Sequence, residues 1–218
     1  MVTSEKIERM KPLIPLILFL SLIQLSGSSK VDSQSITDTL ISAKERNSLL
    51  FMREEEKLAY DIYTTMYEKW NLTPFSNISS SEASHMAAVK TLIDRYQLKD
   101  IVQPGSGVFT NQVLQQLYNQ LLQQGNISLT KSLMAGAAIE EIDIKDLKEH
   151  LSFIQQTDIR NVYENLMRGS RNHLRAFVRN LSMRDIIYKP QYLSQQEFDE
   201  IMNSPMEQRG INRKENKD

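Results

Sequence analysis

The chain has no cysteine. Thiolate zinc sites, iron–sulfur clusters, cysteine nucleophiles and disulfides are therefore excluded. Any metal must be held by carboxylate, imidazole or hydroxyl groups. Histidine is scarce too, with three residues at positions 85, 150 and 173. Seven glycines and six prolines are few for 218 residues. With Gln, Leu, Glu and Met plentiful, that scarcity favours helix over sheet. There is no basic excess: the formal net charge of -1 gives no argument for a nucleic-acid partner.

One apolar run stands out, from Leu13 to Leu25, broken by Pro15, Ser21 and Gln24. Lys6, Arg9 and Lys11 precede it, and Ser26-Gly27-Ser28-Ser29 follow. This order of charge, apolar stretch and small residues is that of a secretory signal over residues 1–28. The alternative is an uncleaved N-terminal anchor, although the run is shorter than the roughly 20 residues of a full span. With no cysteine after the run, a lipoprotein is excluded. Either way, the folded part is expected to be secreted or extracytoplasmic, with membrane contact only if the segment is retained. Residues 29–42 are polar and read as a linker.

Four long helices are expected beyond it. The first, 43–70, has the stripe Leu49, Met52, Ala59, Tyr63, Met66, Trp70 at three- and four-residue steps. The stretch Asn71 to Pro74 ends it, and the second runs from about Asn77 to Gln97 with Ile78, Val89, Leu92 and Tyr96 in line. The third runs from about Ser128 to Ile154 with Leu133, Ala137, Ile144, Leu147 and Leu151. The fourth opens at Thr157 or Asp158, both good N-caps, and reaches Leu181 through Ile159, Tyr163, Leu166 and Phe177. Short loops make the first and last pairs antiparallel. About thirty residues, Leu98 to Ile127, join the pairs and hold a short helical stretch, Asn111 to Gln124. A twenty-residue helix is about 30 Å long, so such a connection can run the height of the bundle. The expected fold is all-α: a four-helix bundle over residues 43–190, two antiparallel pairs joined by a long crossover. Residues 191–218 form a tail with a short helix at 194–203, opened by a Ser194/Glu197 capping box.

Each apolar stripe has a gap, and each gap holds a polar residue. These are Glu56 on the first helix, Glu82 and His85 on the second, Glu140 on the third, and Ser170 and His173 on the fourth. A buried carboxylate is costly unless paired or metal-bound, and several together repel one another. No Lys or Arg shares these positions. Hard cations such as iron or manganese suit carboxylate and imidazole ligands. Glu82-x-x-His85 puts both side chains on one face, a turn apart. Bland readings exist for each feature alone: Glu54-Glu55-Glu56 as a solvated helix segment, a lone Glu-x-x-His as chance, His150 as a structural or surface residue. The conjunction of two of three histidines with glutamates on three helices is what points to a metal site.

The segments Phe51 to Tyr63, Ser81 to Met86, Gly136 to Ile144 and Gly169 to Phe177 resemble an uncharacterised prokaryotic family of the ferritin-like, di-iron carboxylate superfamily. Glu56-x-x-Ala59-x-x-x-Tyr63 is also similar to the first helix of ferritins and rubrerythrins. The resemblance implies two metal ions, iron or manganese, that react with dioxygen or peroxide. It implies Glu56 as a terminal ligand, Glu82 as a bridge, His85 and Glu140 as ligands, and His173 as the fourth-helix histidine. It also likens Asp143 to the extra third-helix carboxylate of rubrerythrins. Ser170 departs from the pattern, standing where the superfamily has Glu. Either Asp143 compensates, or one ion is held tightly and the second weakly. Three functions stay open at this stage. One is an oxidoreductase acting by ferrous oxidation or peroxide reduction. The others are a metal-binding protein without turnover and a purely structural bundle. Oligomeric state is open, a homo-oligomer included.

Overall fold

The computed structural model describes residues 41–208. The expected export segment, most of the linker and the end of the tail lie outside the described residues. Among those described, the protein is all-α, with six helices and no strand. The long helices are not the whole body, because two shorter ones pack on them.

Helix α1 (Ala43–Trp70) opens with a Ser42/Glu45 capping box and closes on Asn71 in the left-handed conformation at φ 49°. Helix α2 (Thr73–Arg95) starts four residues earlier than expected. Pro74 does not merely separate the helices. It sits in the first turn of α2, where its missing N–H costs nothing. Helix α3 (Gln112–Gly125) is capped by Asn111, whose side chain accepts from the amides of Val113 and Leu114. Helix α4 (Leu129–Leu151) is capped by Ser128. Helix α5 (Thr157–Ser182) has its N-cap at Gln156, not at Thr157 or Asp158 as expected. A distant residue explains this: Glu45 Oε1 accepts from the amides of Gln155 and Gln156 at 2.8 and 3.1 Å. Helix α6 (Gln195–Asn203) carries the expected Ser194/Glu197 capping box.

Helix α1 packs on α2 and α4, and α5 packs on α4 and α2. Glu45 accepts from the chain just beyond the end of α4, while the Trp70 indole donates to the Gly125 carbonyl just before α4 begins. Helices α1 and α4 are therefore antiparallel. Ser81 meets His173 and Tyr96 meets Asp158, so α2 and α5 are antiparallel too. The connection from α2 to α4 climbs along α1. It passes Arg53 at Asp100 and Asp61 at Gly107, and reaches Trp70 at Gly125. Helix α3, inside that connection, covers α1 and α4.

The apolar core falls into two clusters. One contains Tyr63, Phe75, Leu133 and Phe177; the other contains Met52, Val89, Leu147 and Leu166. Burying each such side chain contributes about 1.5–3 kcal/mol. Along every long helix the gap residue lies between members of the two clusters, which places a polar layer across the middle of the bundle. No helix among the described residues is long and apolar enough to cross a membrane.

Candidate metal centre

The polar layer is built from one turn of each long helix. Glu56, Glu82 and Glu140 are each about 2% exposed, and His85 and His173 are partly buried beside them. Two groups form. Glu56, Glu82 and His85 present ligand atoms within 4.8 Å of one another, as do Glu82, Glu140 and His173. Glu82 belongs to both. Its Oε2 lies 2.7 Å from His85 Nδ1, and its Oε1 lies 2.8 Å from His173 Nδ1. Glu56 Oε2 is 3.2 Å from the same nitrogen of His85, and Glu140 Oε2 is 3.5 Å from that of His173.

Each imidazole nitrogen thus faces two carboxylate oxygens, although it can donate only one hydrogen bond. The Glu82 Oε1–His173 Nδ1 pair is close without hydrogen-bond geometry, and both atoms lack a hydrogen-bond partner. Glu56 Oε1 and Asp143 Oδ1 are likewise buried without one. Oxygen and nitrogen ligands about 2.1 Å from one octahedral ion stand about 3 Å apart. The donor set and its spacing therefore fit hard divalent ions.

The electrostatics have the same origin. A small cavity is lined by Glu55, Glu56, Glu82, Glu140 and Asp143, with Ala59 and Ile139. Five acids face two imidazoles. The nearest bases on α1 are engaged elsewhere: Arg53 bonds Asp100 and the Met86 carbonyl, and Lys57 bonds Asp61 and the Gly105 carbonyl. Burial pushes Glu56 up to about 8, partly offset by His85. Burial also opposes ionisation of Glu82, yet the charges of His173 and His85 hold it well below the carboxylate range. For His85, burial pulls down, but Glu56 and Glu82 outweigh it and push the imidazole up to about 12. Burial likewise opposes charge on His173, which Glu82 and Glu140 push up to about 10.

Not every expected residue joins the two groups. Asp143 lines the cavity but belongs to neither group; the Ser170 hydroxyl bonds its Oδ2. The gap residue Ser170 therefore meets the acid of the neighbouring helix. His150 stands apart, edge-on to Phe51 and Phe153, in keeping with a structural role.

Several contacts of the site run between helices, where no stripe on a single helix shows them. The Tyr63 hydroxyl donates to Glu140 Oε1, and Ser81 Oγ lies 3.1 Å from His173 Nε2. Both orient a site residue through its far side, as supporting partners of ligands do. Gly169 lies where a Cβ would come within 2.7 Å of His85 Cε1, so the ring occupies space that only glycine leaves. Glu54, Glu55 and Glu56 are all buried, contrary to a solvated helix segment. Glu54 accepts the amides of Thr110 and Asn111 and so anchors the start of α3. No single-helix pattern could have revealed that contact.

Fold and site together define an all-α helical-bundle protein with two adjoining buried Glu/His groups of metal-ligand type. A family described as "Uncharacterized protein domain (DUF2202)" matches residues 45–205, and the chain belongs to that family. It is 49% identical over 174 residues to "Uncharacterized protein MJ0754" of Methanocaldococcus jannaschii, covering 79% of this chain and 94% of the relative. It also resembles the crystal structure of hypothetical protein MJ0754 from Methanococcus jannaschii DSM 2661. There the TM-score is 0.75 at 46% identity, covering 82% of this chain and 100% of the other.

Proposed function

We propose that the chain is an exported ferritin-like metalloprotein whose long helices hold two hard metal ions, iron or manganese. Glu56, Glu82, His85, Glu140 and His173 are the proposed ligands, with Asp143 beside them. Glu82 carries the proposal: its two oxygens face two different imidazoles at 2.7 and 2.8 Å, the disposition of a carboxylate shared by two ions. The ions, when bound, supply the capacity to bind and reduce dioxygen or peroxide, with ferrous iron or peroxide as substrate. The chain's own residues position and shield. Tyr63 fixes Glu140, Ser81 fixes His173, and the apolar clusters on either side keep bulk water out.

Anaerobic reconstitution with ferrous iron followed by metal analysis tests this. About two ions per chain are expected, and near none in a Glu56→Ala/His173→Ala double variant. Wild-type protein that retains no stoichiometric metal would end the proposal. Oxygen uptake on adding excess ferrous iron then separates two modes of action. Steady uptake marks turnover. A single stoichiometric burst, or none, marks a metal-binding protein without turnover. Ser170 favours that second reading, because its hydroxyl is committed to Asp143 and α5 contributes no carboxylate to either group.

A further inference from the structure

Glu141, on α4 next to the proposed ligand Glu140, is buried for a reason that the pair of ions does not supply. Its carboxyl accepts from the Tyr188 hydroxyl at 2.6 Å and from the amides of Gln191, Tyr192 and Leu193 at 2.9, 2.7 and 2.8 Å. This pins the chain soon after it leaves α5. The chain then runs through α6 and comes back to α5. There Arg171 grips the Glu207 carboxylate as a fork, Nε to Oε1 at 2.7 Å and Nη2 to Oε2 at 2.6 Å. The Asn172 side chain pairs with the Glu207 backbone, donating to its carbonyl at 2.9 Å and accepting from its amide at 3.0 Å. Arg175, its side chain 10% exposed, adds bonds to the Ile201 carbonyl and the Ser204 hydroxyl. One end of this strap closes on the residue after Glu140, the other on the residue before His173.

Glu140 and His173 share a group with Glu82 but come from different helices. Their spacing is only as exact as the register of α4 against α5. Above and below the polar layer, close-packed apolar side chains set that register. Within the layer the two helices meet through the Ser170 hydroxyl on Asp143. Metal ligands need their distances held to about 0.2 Å, and a bidentate Arg–carboxylate pair is both strong and directional. We propose that Glu141 and Glu207 are positioning residues of the Glu82/Glu140/His173 group, and that the strap Tyr188–Glu207 holds α4 and α5 in register at its level. The proposal rests on the two-ion reading above and divides the pair. The strap contacts named here fall on α4 and α5, whereas Glu56 and His85 come from α1 and α2.

The full-length chain, freed of metal, is titrated with manganese(II) at neutral pH, and free ion is counted by its electron paramagnetic resonance signal. Wild type is expected to bind two ions. Glu207→Gln keeps the shape but removes the charge from the fork, and one of its two ions is expected to bind about tenfold or more weakly. His173→Ala is expected to keep the ion of the Glu56/Glu82/His85 group. Adding Glu207→Gln to it is expected to leave that ion's affinity unchanged, because the two changes act on the same group. A merely structural role would weaken the remaining ion as well. By reciprocity, manganese bound to wild type should slow amide exchange at Tyr192, Leu193 and Glu207, read by mass spectrometry. Should Glu207→Gln not fold by circular dichroism, or His173→Ala keep no ion, this exchange measurement decides alone. Wild-type affinities in Glu207→Gln, equal weakening in both backgrounds, or exchange unaltered by manganese overturns the role of the strap and spares the pair. A wild type that binds fewer than two ions overturns the pair and the strap's role with it.

Discussion

The Tyr63 hydroxyl on α1 donates to Glu140 Oε1 on α4 at 2.5 Å, inside the polar layer, with the Gly136 carbonyl 3.2 Å away. Burial and the neighbouring Glu140 push the phenol well above its ordinary range, so it stays protonated and can only donate to the carboxylate. Tyr63→Phe keeps the ring against Phe75 and Phe177 but removes the hydroxyl that donates to Glu140 Oε1. Leaving a buried acceptor without its donor costs about 1–3 kcal/mol. Urea unfolding of the metal-free variant should show that loss with helix content unchanged. Unchanged stability would mean that Glu140 does not depend on Tyr63.

The adjacent glutamates of α1 should separate in their effects. Glu54 holds two amides at the start of α3, with Asn111 N at 2.8 Å. Glu54→Ala should therefore loosen the crossover, costing about 2 kcal/mol or more through the lost charge-assisted bonds. Metal stoichiometry should not change. Glu56→Ala should do the reverse. Metal binding falls, while the metal-free fold keeps its stability, because a buried and repelled acid has been removed. Amide exchange at Thr110 and Asn111, read beside metal analysis, distinguishes the two. Equal loss of metal in both variants would count against the assignment of Glu54 to the fold.

The helices were legible because an apolar stripe at three- and four-residue steps is a property of one helix. The polar gaps were legible for the same reason. What decides the ends of helices here is often another helix: α5 begins at Gln156 because Glu45 on α1 takes the amides there. The early start of α2 follows from local chemistry that reads two ways, since Pro74 can end one helix or begin the next. The fates of Glu54 and Glu55 were hidden. Three successive helical positions point in different directions, and whether each is buried depends on what the crossover and α4 bring over α1. Ser170 stood out as a missing carboxylate, but its contact with Asp143 needs the α4–α5 register, which no stripe on one helix contains.

Gly169 supplies a test of how tightly His85 is placed. A Cβ there would lie 2.7 Å from Cε1 and 2.8 Å from Nε2 of the ring, closer than carbon atoms pack. Gly169→Ala favours the α5 helix by up to about 1 kcal/mol in propensity, so global stability should hold or rise slightly. The ring must move, and Nδ1 with it, away from Glu56 and Glu82. Manganese affinity is therefore expected to fall about tenfold or more, with the weakening in the Glu56/Glu82/His85 group. A variant that binds manganese as wild type does would show that the ring has room to yield.

His150 supplies a pH dependence that lies outside the site. It packs against Phe51, Phe153 and Tyr163, and its buried Nδ1 has no hydrogen-bond partner. Burial brings the imidazole down to about 4, with Glu149 opposing and Lys44 assisting. In the unfolded chain the ordinary value is about 6.5. Between those values the unfolded chain takes up a proton that the folded chain refuses. The stability tied to His150 is thus complete above about pH 6.5 and drains away as pH falls towards about 4. His150→Phe preserves an aromatic ring among aromatic neighbours and removes the titration. Unfolding free energies of wild type and variant, measured with chelator present, should differ by a constant amount above about pH 6.5. Below it the difference should move steadily in the variant's favour. Other acids titrate in the same window, but they are common to both proteins and cancel in the comparison. A difference independent of pH would place the imidazole in contact with water and return its value to the ordinary one.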